Sequence, residues 1–219
     1  MPVLSISGVR VHGVSACVPQ REYDNSNYDW ISEHDLKLQL KTIGVEKRRM
    51  VEDGVTTSDL CFHAAEKLIQ ESGWNKDEIQ LLVFVAQARD YLLPATGVIL
   101  QDRLGLSKTC LAFDVSLGCS GYVYGLSIAM SMMQSMGIQK GILLAGDVST
   151  FNSSYRDKSV YTLFGDAGTA TLLELKENAP PVSFNMMSDG SGFEAIIIPQ
   201  GGIRNLANKD SFDEVEISE

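Results

Sequence analysis

Three short apolar runs constrain this chain more than anything else in it: residues 81–86 (LLVFVA), 111–115 (LAFDV) and 141–146 (GILLAG). Runs of strand length without polar alternation belong to strands covered on both faces. Helical segments lie between them. Pro94 opens one that closes near Gly105, and another runs from about Cys119 to Met136, where Gly137 stops it. Strand, helix, strand, helix, strand with short turns predicts a parallel sheet carrying helices on its faces.

The flanks extend this pattern. Residues 9–14 (VRVHGV) read as a strand, and residues 29–42 as one short helix or two, with Ile31, Leu36, Leu38 and Leu40 among charges. Thr57 or Ser58 can cap a helix that places Leu60, Ala64, Leu68 and Ile69 on one face and ends at Gly73. Residues 165–168 (GDAG) read as a tight turn feeding a strand over 169–173. From Ala179 the texture changes: VSFNMM and AIIIP around a Gly-rich SDGSG predict a hairpin, and five acids crowd residues 209–219. The expected division is a first domain over 1–175 and the opening strands of a second, incomplete one over 176–219.

Composition excludes several function classes. A chain of 219 residues, 44% hydrophobic, can bury a core without disulfides or metals. With 18 Lys+Arg against 28 Asp+Glu the net charge is −10, and no basic stripe offers itself to a phosphate backbone, so nucleic acid is not an expected partner. No apolar stretch reaches the roughly 20 residues of a membrane span. Val14-Ser15-Ala16-Cys17 looks like a lipoprotein cleavage box, but no Lys or Arg leads it and Arg10 interrupts the apolar run. Cysteines 17, 61, 110 and 119 form neither a CxxC nor a Cys/His cluster. We therefore expect a reduced, cytoplasmic protein with no metal and no cofactor.

One position can carry chemistry. Cys119 sits where the run 111–115 hands over to a long helix, so its thiol meets the first helical N–H groups and the positive end of the dipole. Gly118, Ser120 and Gly121 leave room beside the sulfur. A thiolate placed so can accept an acyl group from a thioester; the plain alternative is a buried structural cysteine. The other three cysteines read as packing. Competing motifs fail on context: Gly190-Ser191-Gly192-Phe193-Glu194-Ala195 fits GxGxxA but precedes a strand-like run, where a dinucleotide site needs a helix. Histidines 12, 34 and 63 lie in a strand, among acids and inside a helix, and none offers itself as a base for Cys119.

The segment 112–122 (AFDVSLGCSGY) resembles the active-site cysteine segment of the ketoacyl-acyl-carrier-protein synthase III family. The likeness runs collinearly through 44–49 (GVEKRR), 91–96 (YLLPAT), 101–106 (QDRLGL) and 164–170 (FGDAGTA). It implies the thiolase fold: a mixed, mostly parallel sheet with helices on both faces, as the first half of a duplicated five-layer α/β/α/β/α architecture working as a homodimer. It further implies that an acyl-CoA or acyl-carrier-protein donor acylates Cys119. The acyl-enzyme then condenses with malonyl-acyl-carrier protein by decarboxylation. The family's His, its Asn and one oxyanion donor belong to the second half, so the 219 residues are expected to be a partial member, inactive alone.

By the same resemblance Leu93, Lys158, Phe164 and Thr42 bind substrate. Leu93 aligns with a residue that floors the partner's acyl pocket. Lys158 stands where an Arg commonly meets the CoA phosphates, and Leu38 and Thr42 stand where a Trp and an Arg commonly stack on adenine, with Trp30 several positions early. The alternatives are a non-catalytic half-subunit or acyl-binding assembly partner of the same fold, and a thiolase or polyketide-type synthase.

Overall fold

A computed structural model describes residues 3–208, so the acidic run 209–219 lies outside the described residues. The chain divides into two compact units, Met1–Asn185 and Met186–Glu219.

In the first unit the three apolar runs become β5 (Leu81–Val85), β6 (Leu111–Val115) and the core of β7 (Lys140–Val148). Both β6 and β7 pair with β5 in parallel, with Leu81 opposite Leu111 on one side and Gly141 on the other. Two more strands complete the sheet. β8 (Asp166–Leu175) runs antiparallel to β7, and β2 (Val9–Cys17) antiparallel to β8, giving the order β2-β8-β7-β5-β6. Four strands thus point the same way and β8 alone opposes them. This is the mixed, mostly parallel α/β sheet that the resemblance implies, although β6, expected to be covered on both faces, lies at its edge and is only partly buried.

Side-chain alternation sorts the two faces. Leu82, Phe84, Ile142, Leu144, Ala170 and Leu172 turn to one side, where they form one core with residues of α2 (Thr57–Ser72) and α3 (Thr96–Arg103). Val85 and Leu143 turn to the other, against α4 (Gly121–Met136). Leu82, Phe84 and Leu143 are fully buried, each contributing about 1.5–3 kcal/mol of transfer free energy.

Helix ends follow local chemistry. In α2 the Thr56 hydroxyl accepts the Asp59 N–H while the Asp59 carboxylate accepts the Thr56 N–H, a reciprocal capping box, and Gly73 closes the helix in the left-handed region. The cap is therefore Thr56, not Thr57 or Ser58, which lie inside the helix. Residues 29–42 yield one helix, α1 (Glu33–Ile43), capped by Ser32. α3 begins two residues after Pro94 and α4 two after Cys119.

Two further sequence expectations need correction. Asp166, Ala167 and Gly168 already belong to β8 rather than to a turn before it, because Asp166 pairs with Val148. The hairpin at the C-terminal end does not form. Residues of VSFN make β9 (Val182–Asn185), which pairs antiparallel with β1 (Val3–Ile6), a strand that the sequence reading did not single out. β3 (Glu22–Asp24) and β4 (Lys47–Arg49) form a further two-stranded ribbon. In the second unit, Phe193–Ala195 makes a short 3-10 turn, Asp189 accepts the Ser191 N–H and hydroxyl, and Gly202 bridges Asn205.

Candidate active site

The site is built at one end of the five-stranded sheet, where the parallel strands β5, β6 and β7 finish and the opposed strand β8 begins. Ligands of open α/β sheets bind outside this carboxyl edge. Three aspartates there tie down the loops. Asp114 at the end of β6 accepts the N–H groups of Thr96 (2.8 Å) and Gly97 (2.6 Å), the orphan donors at the start of α3. Asp147 of β7 accepts those of Gln87 and Ala88, which follow β5. Asp166 of β8, fully buried, accepts the N–H groups of Val51 and Thr150 and the Thr150 hydroxyl.

Cys119 stands on the turn between β6 and α4. Gly121 N–H donates to the Gly118 carbonyl at 2.7 Å and Tyr124 N–H to the Ser120 carbonyl, which brings the chain round into the helix. Two glycines on α4 let that helix lie close over the sheet: a Cβ at Gly121 would stand 2.7 Å from Val85 Cγ1, and one at Gly125 2.6 Å from Val85 Cγ2. Cys119 itself is exposed, and among the described residues its N–H makes no hydrogen bond. A free backbone donor beside an accessible sulfur is what a developing oxyanion on a carbonyl attacked by that sulfur requires.

The remaining thiols differ in kind. Cys61 is fully buried and Cys110 buried, and burial pushes them up to about 12 and about 11. They stay protonated and covered, while Cys17 is half-buried against the same core. Of the four cysteines, Cys119 alone is exposed.

The other residues singled out from the sequence fall in two separate regions. Leu93 is at the tip of the loop between β5 and α3, strongly exposed. Thr42, Lys158 and Phe164 are exposed and belong to a second region, in which α1 meets the segment between β7 and β8. Gln39 of α1 donates to the Lys158 carbonyl and to the Thr162 hydroxyl (2.9 Å), joining the two pieces of chain. The Thr42 hydroxyl turns back to the Leu38 carbonyl in its own helix. No hydrogen bond joins any of the four residues to Cys119 among the described residues.

Beneath this second region lies a buried cation. Arg48 donates from Nε to Asn25 Oδ1 (2.7 Å) and from Nη1 to the Phe164 carbonyl (2.8 Å), and its guanidinium faces the rings of Tyr23 (5.3 Å) and Tyr161 (4.8 Å). Burial pushes Tyr23 up to about 12, so that ring is neutral and offers its π-face to the charge.

Sequence reasoning missed two features. Gln87 lays its side chain so close to Gly118 that a Cβ there would meet Gln87 Oε1 at 2.7 Å, which puts an amide beside the residue preceding the sulfur. Trp30 is capped by the Arg156 guanidinium at 5.1 Å, a pairing between segments far apart in the chain that no local signal announces. The histidines behave as read: His12 packs on Trp74, His63 lies beside Phe62 in α2, and His34 sits in α1. Among the described residues no three His, Cys, Asp or Glu side chains gather as metal ligands.

Known proteins resemble this chain over most of its length. Residues 113–190 match the sequence profile of the family described as 3-oxoacyl-[acyl-carrier-protein] synthase III. The chain is 32% identical over 202 residues to a beta-ketoacyl-[acyl-carrier-protein] synthase III of Clostridioides difficile, covering 92% of this chain and 61% of that protein. It is 30% identical to the corresponding protein of Chlamydia caviae, covering 98% and 64%. A 3-oxoacyl-(acyl-carrier protein) synthase from Burkholderia xenovorans superposes with a TM-score of 0.91 at 37% identity, over 94% of this chain and 59% of that one. The chain therefore spans about three fifths of the length of the relatives it matches.

Proposed function

We propose, from its similarity to the 3-oxoacyl-[acyl-carrier-protein] synthase III family and the fold it shares with a member over the length matched, that this chain carries the nucleophile of an acyltransferase. The observation that carries the reading is the exposed Cys119 on the strand-to-helix turn, with Cys61 and Cys110 buried and Cys17 half-buried. In the first step the Cys119 sulfur, as thiolate, attacks the carbonyl of an acyl-CoA or acyl-carrier-protein thioester. A new thioester forms at Cys119 and the donor thiolate departs, so one thioester is exchanged for another. The free Cys119 N–H supports the oxyanion of the intermediate. In the second step a malonyl-acyl-carrier protein loses CO₂, its carbanion attacks the acyl carbon, and Cys119 leaves as thiolate to give a 3-oxoacyl product.

The same reading assigns the remaining parts. Leu93 borders the acyl chain; Lys158, Phe164 and Thr42 line the approach of the donor. The Trp30–Arg156 pair, whose Arg156 stands two residues before Lys158, offers an aromatic and a cationic plane suited to an adenine. No cofactor takes part. β6 is an edge strand whose outer side pairs with no strand among the described residues, and its residues are only partly covered, which supports a homodimer formed there. Residues 176–219 are read as the opening of a second thiolase-like half. Among the described residues no helix is long and apolar enough to cross a membrane, and a cytoplasmic location is proposed.

The test is thiol release from an acyl-CoA series by the full-length natural protein and its Cys119→Ala variant. Acyl-dependent release of CoA that vanishes with Cys119→Ala supports the reading; release that survives the substitution refutes it.

A further inference from the structure

The loop between β5 and α3 exposes its most apolar residues: Tyr91, Leu92 and Leu93 are 63%, 82% and 86% exposed. The tip gains little fixing from packing, so its position depends on its root. That root is held by side chains. Gln87 and Ala88 donate to Asp147, and the Asp90 N–H donates to Thr96 Oγ1 at 3.1 Å. Ser58 Oγ, fully buried in the first turn of α2, donates to Asp90 Oδ2 at 2.8 Å. Arg103 at the end of α3 donates from Nη1 to the same Ser58 oxygen (2.9 Å) and from Nη2 to Asp59 Oδ1 (2.7 Å). One guanidinium thus serves two carboxylates, Asp59 directly and Asp90 through the serine hydroxyl. Asp90 Oδ1 is buried without a hydrogen-bond partner among the described residues, an expensive arrangement that a loop free to choose any residue would avoid.

We propose that Asp90, clamped through Ser58 and Arg103, is the positioning residue that sets where the Leu92–Leu93 tip stands, and with it the acyl-chain lengths the site accepts. The proposal rests on the acyl-transfer reading above, in which Leu93 borders the acyl chain. Its leverage follows from chain geometry. Asp90 to Leu93 spans about 10 Å when extended, so a tilt of about 10° at the root carries the tip about 2 Å. That displacement exceeds one methylene, and one methylene in an apolar pocket changes discrimination by about 10-fold or more. Neither Ser58 nor Asp90 touches the sulfur by any hydrogen bond, so their effect runs through the tip.

The experiment uses the full-length natural protein and four variants: Ser58→Ala, Asp90→Ala, Asp90→Asn and Leu93→Ala. Loading of Cys119 is timed by intact mass with saturated acyl-CoAs from acetyl to decanoyl, and amide exchange is followed over residues 87–95. We expect Leu93→Ala to move the long-to-short loading ratio. Ser58→Ala and Asp90→Ala should each shift that ratio by about 10-fold and speed exchange at the root. Asp90→Asn, which still accepts from Ser58, should restore the parental ratio. Loading with an unmoved ratio in Ser58→Ala and Asp90→Ala overturns this proposal alone, as does unchanged exchange at the root. A parent that loads no acyl group on Cys119 overturns the acyl-transfer reading and this proposal with it.

Discussion

Replacing Gly125 by alanine asks whether the seating of α4 sets the nucleophile. The added methyl would stand 2.6 Å from Val85 Cγ2 and 2.9 Å from Leu143 Cδ1. Non-bonded carbons prefer about 3.5–4.0 Å, so α4 must lift by about 1 Å or its neighbours must retreat. Both neighbours are buried on adjacent central strands and have nowhere to go. Overpacking of this kind costs about 1–3 kcal/mol. Alanine returns up to about 1 kcal/mol of helix propensity. The net loss is about 1 kcal/mol, a fall in Tm of about 2–4 °C for a chain of this size. Function should suffer more. Cys119 is less than two turns upstream, and a 1 Å displacement of a reacting group can cost about 100-fold. Thermal unfolding followed by circular dichroism, together with the rate of Cys119 acylation, reads both numbers. An unchanged or raised Tm with an unchanged acylation rate would refute the argument that glycine is there for close approach.

Three further outcomes are expected. Iodoacetamide on the folded protein should alkylate Cys119 first and leave Cys61 and Cys110 unmodified, because burial covers both and pushes them up to about 12 and about 11; peptide mapping that finds either labelled at the rate of Cys119 would contradict this. Arg48→Lys keeps a charge but loses the planar fork that reaches Asn25 and the Phe164 carbonyl together, so denaturant unfolding should show a loss of about 2 kcal/mol; a loss within error would show that the fork is dispensable. Burial works to raise the Asp59 carboxyl, but the Thr56 donors and the Arg103 guanidinium outweigh it and hold the group below its ordinary 3.8. Its stabilisation is present above that value and lost as pH falls through the lower folded value, so Asp59→Asn should flatten the acid limb of the stability curve, and an unaltered limb would count against the assignment.

What was legible in the sequence was whatever is local. The runs 81–86 and 141–146 announced β5 and β7 because strands buried on both faces need no alternation. The run 111–115 announced β6 as a strand but not its partial exposure, which follows from its place at the sheet edge. Gly73 and Gly137 marked helix ends because both take positive φ. The place of Cys119 on a strand-to-helix turn was legible for the same reason: strand, small residues and helix are contiguous. The misses are non-local. β9 pairs with β1 across almost the whole unit, so a sequence window around VSFN sees only the nearer apolar run AIIIP and predicts a hairpin. Asp166 joins β8 because Val148 lies opposite it, a register no turn signal reveals. The Ser58–Asp90 bond, the Arg156–Trp30 stack and the Gln87 side chain over Gly118 each join segments distant in sequence, which only the folded chain makes neighbours.

The central claim is that Cys119 takes an acyl group from a thioester. The most direct measurement is the intact mass of the full-length natural protein before and after exposure to acyl-CoAs, followed by digestion to locate any adduct. The account expects a gain of one acyl mass, lost on treatment with hydroxylamine, on the peptide that contains Cys119 and on no other. An adduct on a different residue, or no adduct with any donor in the series, would contradict it.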